Sequence, residues 1–195
     1  MIHGRTNLFA VRACCIVVLA PCLAVISQSQ KAGSMAAEPS PVSVVRQYCR
    51  LDAEGARLSS DNPNVEQYFA LVKWPDEPGW DGAVVVRNFA VTHSKPGQSR
   101  SAVTVRYFVL GDMDGATVTD SKHHTELVTF TLTKSGGTWK IDGPLIPPHI
   151  SVHAAIASLQ SLLRTERSSE QRRQLRAGIG VLKRWMQAET PKTQP

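Results

Sequence analysis

Apolar residues recur at helical spacing in the segment that begins near residue 41. The stripe has the spacing i, i+4, i+7, i+11 and i+14, which is one face of a helix, and consists of Val44, Tyr48, Leu51, Gly55 and Leu58. Ser40 is a good N-cap, and proline at 41 is favoured in the first turn. The segment 59–63 (SSDNP) ends the pattern. We therefore expect an amphipathic helix from Pro41 to about residue 58, with a short helical turn at 65–71.

The period of the apolar pattern changes to two from residue 83. Segments 83–93, 102–110 and 125–133 are rich in valine, threonine and aromatic residues and are bounded by Gly, Pro, Asp and Ser clusters. A tight turn at 134–137 leads into a short strand at 138–142. Connections this short make neighbouring strands antiparallel. The pattern predicts an α+β fold, with an N-terminal helix packed on a curved antiparallel sheet of about four strands.

Two amphipathic segments follow the prolines at 144–148. Apolar residues share one face of each segment, and in the second the opposite face is basic, with Arg173, Arg176, Lys183 and Arg184. Ser168 and Gln171 form a candidate capping box for this second helix. We expect a C-terminal helical hairpin at 150–188, packed against the domain, and a disordered tail at 189–195.

The N-terminal 27 residues have the order of an export signal. Arg5 and Arg12 precede an apolar run at 13–26, which is shorter than the ~20 residues that a membrane span needs, and small polar residues follow. A signal at 1–27 and a disordered tether at 28–40 predict a periplasmic or extracellular protein. An alternative is lipid anchoring at Cys22. Cleavage leaves Cys49, which we interpret as a small buried apolar residue.

The basic excess of the chain, a net charge of +6, is concentrated at 164–184. The ordinary interpretation is a solvated outer helix face; the alternative is an amphipathic surface that contacts anionic lipid, with Trp185 near the boundary. Because the basic residues occupy one helix and the aromatic residues lie elsewhere, we expect no nucleic-acid partner.

The order of helix, loop, long strands and a closing Gly-Gly-Thr-Trp-Lys-Ile-Asp segment resembles the NTF2-like (SnoaL-like) superfamily, with its cone-shaped cystatin-like fold. The resemblance rests on residues 48–56, 103–109 and 136–142. It covers about residues 41–145, so we place the domain at 41–149. It implies a pocket between the first helix and the concave face of the sheet.

The resemblance also implies which residues would line that pocket. Tyr48 and Asp52 are the catalytic candidates, as hydrogen-bond donor and general base. The candidate ligand-binding residues are Trp74, Trp80, Arg106, Glu126 and Trp139. An alternative for the charged members is a structural ion pair or a solvated face. On simple strand alternation, Arg106 lies opposite Val105 and Tyr107, solvated or paired with Glu126.

Metal and cofactor motifs are absent from the sequence. Asp112, Asp114, Asp120, His123 and His124 crowd one predicted turn, but adjacent histidines on an extended segment point to opposite sides. His149 and His153 are four apart, but the prolines before them disfavour a helix there. We therefore expect no metal and no cofactor.

The sequence leads us to expect a non-catalytic module that binds a small apolar ligand or a protein partner in its concave pocket, as a monomer or a homodimer. One alternative is a SnoaL-like isomerase, hydrolase or dehydratase. Another is an envelope-associated protein that makes peripheral membrane contact through its basic helix.

Overall fold

A curled five-stranded sheet is the framework of residues 38–188, the part of the chain that the computed structural model describes. The helices are α1 (Pro41–Ala53), α2 (Val65–Phe69), α3 (Val152–Thr165) and α4 (Ser169–Ala188). The strands are β1 (Gly82–Lys95), β2 (Arg100–Asp114), β3 (Thr117–Ser135), β4 (Thr138–Gly143) and β5 (His149–Ser151). The predicted α+β class is confirmed.

The strand order is β4-β3-β2-β1-β5, and all neighbours are antiparallel except β5, which runs parallel to β1. The four predicted strands are present but longer than expected. The segment 112–124 that was predicted as a turn is mostly strand, because Asp112 still pairs with Thr119 and the reversal needs only Gly115 and Ala116. β5 was not predicted, since it has only three residues and directly follows two prolines.

Helix α1 begins as predicted and ends earlier than predicted. The side chain of Ser40 accepts a hydrogen bond from the backbone N–H of Ser43 at 3.1 Å. At the other end, Gly55 adopts a φ of 83°, and the N–H of Ala56 reaches the carbonyl of Leu51 at 3.0 Å. This is a Schellman C-cap, for which glycine is preferred. The expectation that the helix continues to residue 58 was wrong.

Apolar side chains on the two faces of the sheet form two cores. On the concave face, α1 and the aromatic residues Tyr48, Tyr68, Tyr107 and Phe130 pack together. On the other face, α3 and α4 cover the end of the sheet where Val85 and Leu110 lie. The predicted C-terminal hairpin therefore shares a core with the sheet.

The expectations for the N-terminal signal, the tether up to residue 37, the lipid anchor at Cys22 and the tail at 189–195 fall outside the described residues. None of the helices in residues 38–188 is both long and apolar enough to cross a bilayer.

Candidate functional site

The two catalytic candidates from the sequence lie on the inner face of α1, four residues and about one helical turn apart. Tyr48 and Asp52 are both 0% exposed. The Arg57 Nη1 atom lies between them, 3.4 Å from the Tyr48 hydroxyl and 3.4 Å from Asp52 Oδ2. The turn at Gly55 returns the chain beneath the helix, which brings Arg57 into this position. A side chain of the protein itself thus occupies the point on which both candidates converge.

The guanidinium of Arg57 connects three separate segments. Its Nε donates to Glu77 Oε2 at 2.8 Å, and its Nη2 donates to the carbonyl of Ile146 at 2.7 Å. The Arg57 side chain is only 2% exposed, and that of Asp52 is fully buried. A buried guanidinium needs such acceptors, because an unpaired charge at this depth would be strongly destabilising.

Glu77 holds the tryptophan-rich loop 73–81 against the domain. Its carboxylate accepts hydrogen bonds from the Tyr68 hydroxyl, from Trp74 Nε1 at 3.0 Å and from Trp80 Nε1 at 3.3 Å, in addition to Arg57. The Arg57 guanidinium also lies over the rings of Tyr68 and Trp80, 5.3 and 6.0 Å from their centroids. One carboxylate therefore joins both tryptophans of the loop to Tyr68 and Arg57.

Two hydrogen-bond donors partly compensate the cost of burying the Asp52 carboxylate away from water. Besides Arg57, its Oδ2 accepts the backbone N–H of His149 at 2.9 Å. Burial raises the pKa of Asp52 to about 6, against the opposing effects of Arg57 and the His149 N–H. Burial likewise raises the pKa of Tyr48 well above its ordinary range, helped by the charge of Asp52.

A general base must touch its substrate, and Asp52 has no surface that even a water molecule could reach. The raised pKa of Asp52 is therefore a consequence of its burial, which Arg57 offsets only in part. The proposal that Asp52 and Tyr48 act in catalysis gains no support from this geometry, because side chains fill the space that a substrate would need.

A second polar group lies on the same face of the sheet. His149 Nδ1 lies 2.8 Å from the carbonyl oxygen of Pro147, and its Nε2 lies 3.3 Å from Glu126 Oε2. The His149 ring packs on Tyr107, whose hydroxyl is 3.1 Å from Cys49 Sγ. Cys49 is 0% exposed, as predicted, and burial raises its pKa to about 12, which suppresses the thiolate.

The principal opening beside this network is a cleft of about 410 Å³ between α2 and the loop 73–81. Apolar and aromatic side chains line it from both α2 and the loop, together with polar ones. The lining includes Ser59, Ser60, Val65, Tyr68, Phe69, Asp76, Pro78, Gly79 and Trp80. Arg57 and Glu77 also reach its surface. Because Glu77 is already paired with Arg57, which also pairs with Asp52, the apolar part of the lining is the main surface that the cleft offers to an uncharged ligand.

The structure separates the five predicted ligand-binding residues. Trp80 lines the cleft, and Trp74 donates a hydrogen bond to Glu77, which also lines it. Trp139 is 7% exposed, belongs to the concave-face core and does not line the cleft.

Arg106 and Glu126 lie on opposite faces of the sheet. Tyr107 pairs with Glu126 in register, so these two share the concave face, whereas Arg106 is exposed on the other face. Arg106 therefore lies on the face that simple strand alternation predicts, away from the implied pocket. Glu126 contacts His149 instead of Arg106.

In the histidine- and aspartate-rich hairpin, His123 Nε2 lies 3.7 Å from Asp120 Oδ1, and the His123 ring lies edge-on to Trp185. Within residues 38–188, no three His, Cys, Asp or Glu side chains come close enough together to hold a metal ion.

Sequence reasoning missed the residues that organise the site, namely Arg57, Glu77 and His149. A signal was present for the first, because a glycine that caps α1 would reverse the chain and place Arg57 near Asp52. For Glu77, the signal was the adjacent carboxylates Asp76 and Glu77 between two tryptophans, each of which needs an acceptor for its indole N–H.

Comparison of this chain with protein-family models, with curated proteins and with solved structures found no match. The NTF2-like resemblance, and with it the homodimer, therefore stays a prediction.

Proposed function

We propose that this chain is an exported, non-catalytic binding module that takes a small apolar ligand in the cleft between α2 and the loop 73–81. The observation that carries the proposal is the lining of this cleft by Val65, Phe69, Pro78 and Trp80 around a volume of about 410 Å³. Small-molecule sites are typically concave, about 300–1,000 Å³ in volume and largely apolar, with a few fixed polar groups.

The proposal shifts the binding site from the location that the resemblance implied. The concave face of the sheet is filled by α1 and by buried aromatic side chains, including Tyr48 and Phe130, which are 0% exposed. The cleft lies beside this core and shares its Arg57–Glu77 pair. It is preformed because Glu77 holds the loop in place, and preformation reduces the entropy cost of binding.

Titration with N-phenyl-1-naphthylamine, an uncharged apolar fluorophore, tests this function. Ser60 is exposed and lines the cleft, so Ser60→Trp should fill the space without disturbing the core. Ser60→Ala, at the same position, is the matched control. We expect saturable binding to the wild type and to Ser60→Ala, and affinity weakened by roughly tenfold or more in Ser60→Trp, which corresponds to ~1.4 kcal/mol.

Equal probe affinity in Ser60→Trp and Ser60→Ala would mean that the probe binds elsewhere, and would refute the proposal that the cleft is the binding site. The same conclusion would follow if the wild type showed only linear, non-saturable partitioning of the probe. Circular dichroism of both variants checks that the fold is unchanged.

A further inference from the structure

The packing of α4 determines which of its faces is turned to solvent. The buried residues of the helix lie on one side, where they join the core with α3 and the sheet, and are Leu175, Gly178, Ile179, Leu182 and Trp185. At 100° per residue, the opposite side carries four exposed basic residues, Arg173, Arg176, Lys183 and Arg184. We call these four residues the basic face.

Most of the charge on the basic face has no counter-ion. Arg173 pairs with Glu170 one turn earlier. Within residues 38–188, Arg176, Lys183 and Arg184 make no ion pair. The whole segment 164–184 carries seven basic and two acidic side chains.

This arrangement does not stabilise the helix. Like charges three or four residues apart, such as Arg173 and Arg176, repel each other. The more ordinary device for a solvated helix would be alternating Glu and Lys pairs. The fold therefore offers no reason for a one-sign face, whereas an anionic partner would.

The shape of the basic face fits a broad, flat anionic surface. Residues 173–184 span about 17 Å along the helix axis at 1.5 Å per residue. The exposed position between the charges at 177 is alanine, and Gly180 lies partly exposed beside it. No aromatic side chain stands on this face to stack on nucleic-acid bases, and none inserts into lipid, because Trp185 is only 6% exposed and packs against Gly111.

The position of Trp185 corrects the expectation that it would lie at a lipid boundary. With the apolar side of α4 committed to the core, any membrane contact of this helix is electrostatic. We propose that the basic face docks this protein, peripherally and reversibly, on membranes that contain anionic phospholipids.

The expected strength follows from the number of charges. Each Lys or Arg near an anionic membrane surface raises partitioning roughly fivefold. Removing the three unpaired charges should therefore weaken binding about 100-fold. Because the interaction is between exposed charges, ~1 M salt, where the Debye length is ~3 Å, should abolish it.

Co-sedimentation of the full chain with vesicles tests the proposal. Vesicles of phosphatidylcholine are compared with vesicles that also contain phosphatidylglycerol. The test variant is Arg176→Glu/Lys183→Glu/Arg184→Glu, and glutamate preserves helix propensity. The matched control reverses three exposed basic residues elsewhere, Arg46→Glu/Lys95→Glu/Lys122→Glu, and changes the total charge by the same amount.

We expect salt-sensitive binding to the phosphatidylglycerol vesicles by the wild type and the control, and its loss in the test variant, with unchanged thermal unfolding. Equal loss in both variants would mean that net charge, and not the basic face, drives binding. Equal binding to vesicles with and without phosphatidylglycerol would assign the contact to the N-terminal apolar run. Either of these two results would overturn the proposal. Tighter binding of the basic face to a DNA duplex than to the vesicles would overturn the proposal as well.

Discussion

Replacing Asp52 with asparagine should remove a large part of the pH dependence of stability below neutral pH. Burial raises the pKa of Asp52 from its ordinary 3.8 to about 6, and Arg57 offsets this only partly. In the unfolded chain the carboxyl regains its ordinary pKa. Between these values the folded protein holds the proton and the unfolded chain does not. The stability from this group is therefore fully present below pH 3.8 and is lost as the pH rises through about 6.

The size of the effect follows from the displacement of the pKa. At ~1.4 kcal/mol per pH unit, the rise from 3.8 to about 6 corresponds to about 3 kcal/mol. This is a large part of a typical unfolding free energy of ~5–15 kcal/mol. Asparagine matches the shape of the carboxyl and offers an Oδ1 to the backbone N–H of His149, but it does not titrate.

Urea unfolding of the wild type and of Asp52→Asn, at intervals between about pH 4 and pH 7, measures this directly. The stability of the wild type relative to the variant should fall by about 2 kcal/mol across this range, because the carboxyl of the unfolded chain is already partly ionised at pH 4. Glu54→Gln, which changes an exposed carboxylate at the end of the same helix, serves as the control and should leave the slope as in the wild type. A wild-type-minus-Asp52→Asn difference that stays constant within ~1 kcal/mol would refute the reasoning.

Three further outcomes follow from the same contacts. Arg57→Met should lower the free energy of unfolding at neutral pH by ~3–5 kcal/mol, because two carboxylates lose their buried partner; a loss below ~1 kcal/mol in urea unfolding would contradict this. Gly178→Ala should cost ~1–3 kcal/mol in thermal unfolding, since its Cβ would lie 2.8 Å from the carbonyl oxygen of Ala116. Gly180→Ala, whose nearest neighbour lies at 3.8 Å, should instead be neutral or stabilising by up to ~1 kcal/mol, and equal effects would argue against the close packing. Cys49 should resist a thiol reagent in the native protein and react in urea, as peptide mapping of the label would show; native labelling would contradict its burial.

Local patterns were enough to predict most of the fold. The period-two segments gave β1 to β4, and Ser40 with Pro41 gave the start of α1. The strand ends were predicted too short, because pairing with a neighbour extends a strand through polar residues such as Asp112. β5 depends on a parallel pairing with β1, and no local pattern reports such a distant partner.

The site was less accessible to sequence reasoning than the fold. The resemblance implied that Tyr48 and Asp52 lie between the first helix and the sheet, and both are buried there. Sequence reasoning did not predict that Arg57 fills the space between Tyr48 and Asp52. Arg57 reaches this space because α1 ends early, at Gly55. For Arg106, strand alternation predicted the exposed face on which this residue lies, whereas the resemblance implied the pocket.

The cleft and the basic face differ in the forces that would drive binding, so the two proposals can be separated in one preparation. At the cleft, the Glu77 carboxylate is already paired with Arg57, and an uncharged ligand gains chiefly from apolar contact with residues such as Phe69 and Trp80. Its affinity should change little with salt and should carry the negative heat-capacity change of apolar burial. At the basic face, exposed unpaired charges make salt the dominant variable. Because α4 packs on the face of the sheet opposite the one that α1 covers, filling the cleft should leave vesicle binding intact, and reversing the basic face should leave probe binding intact.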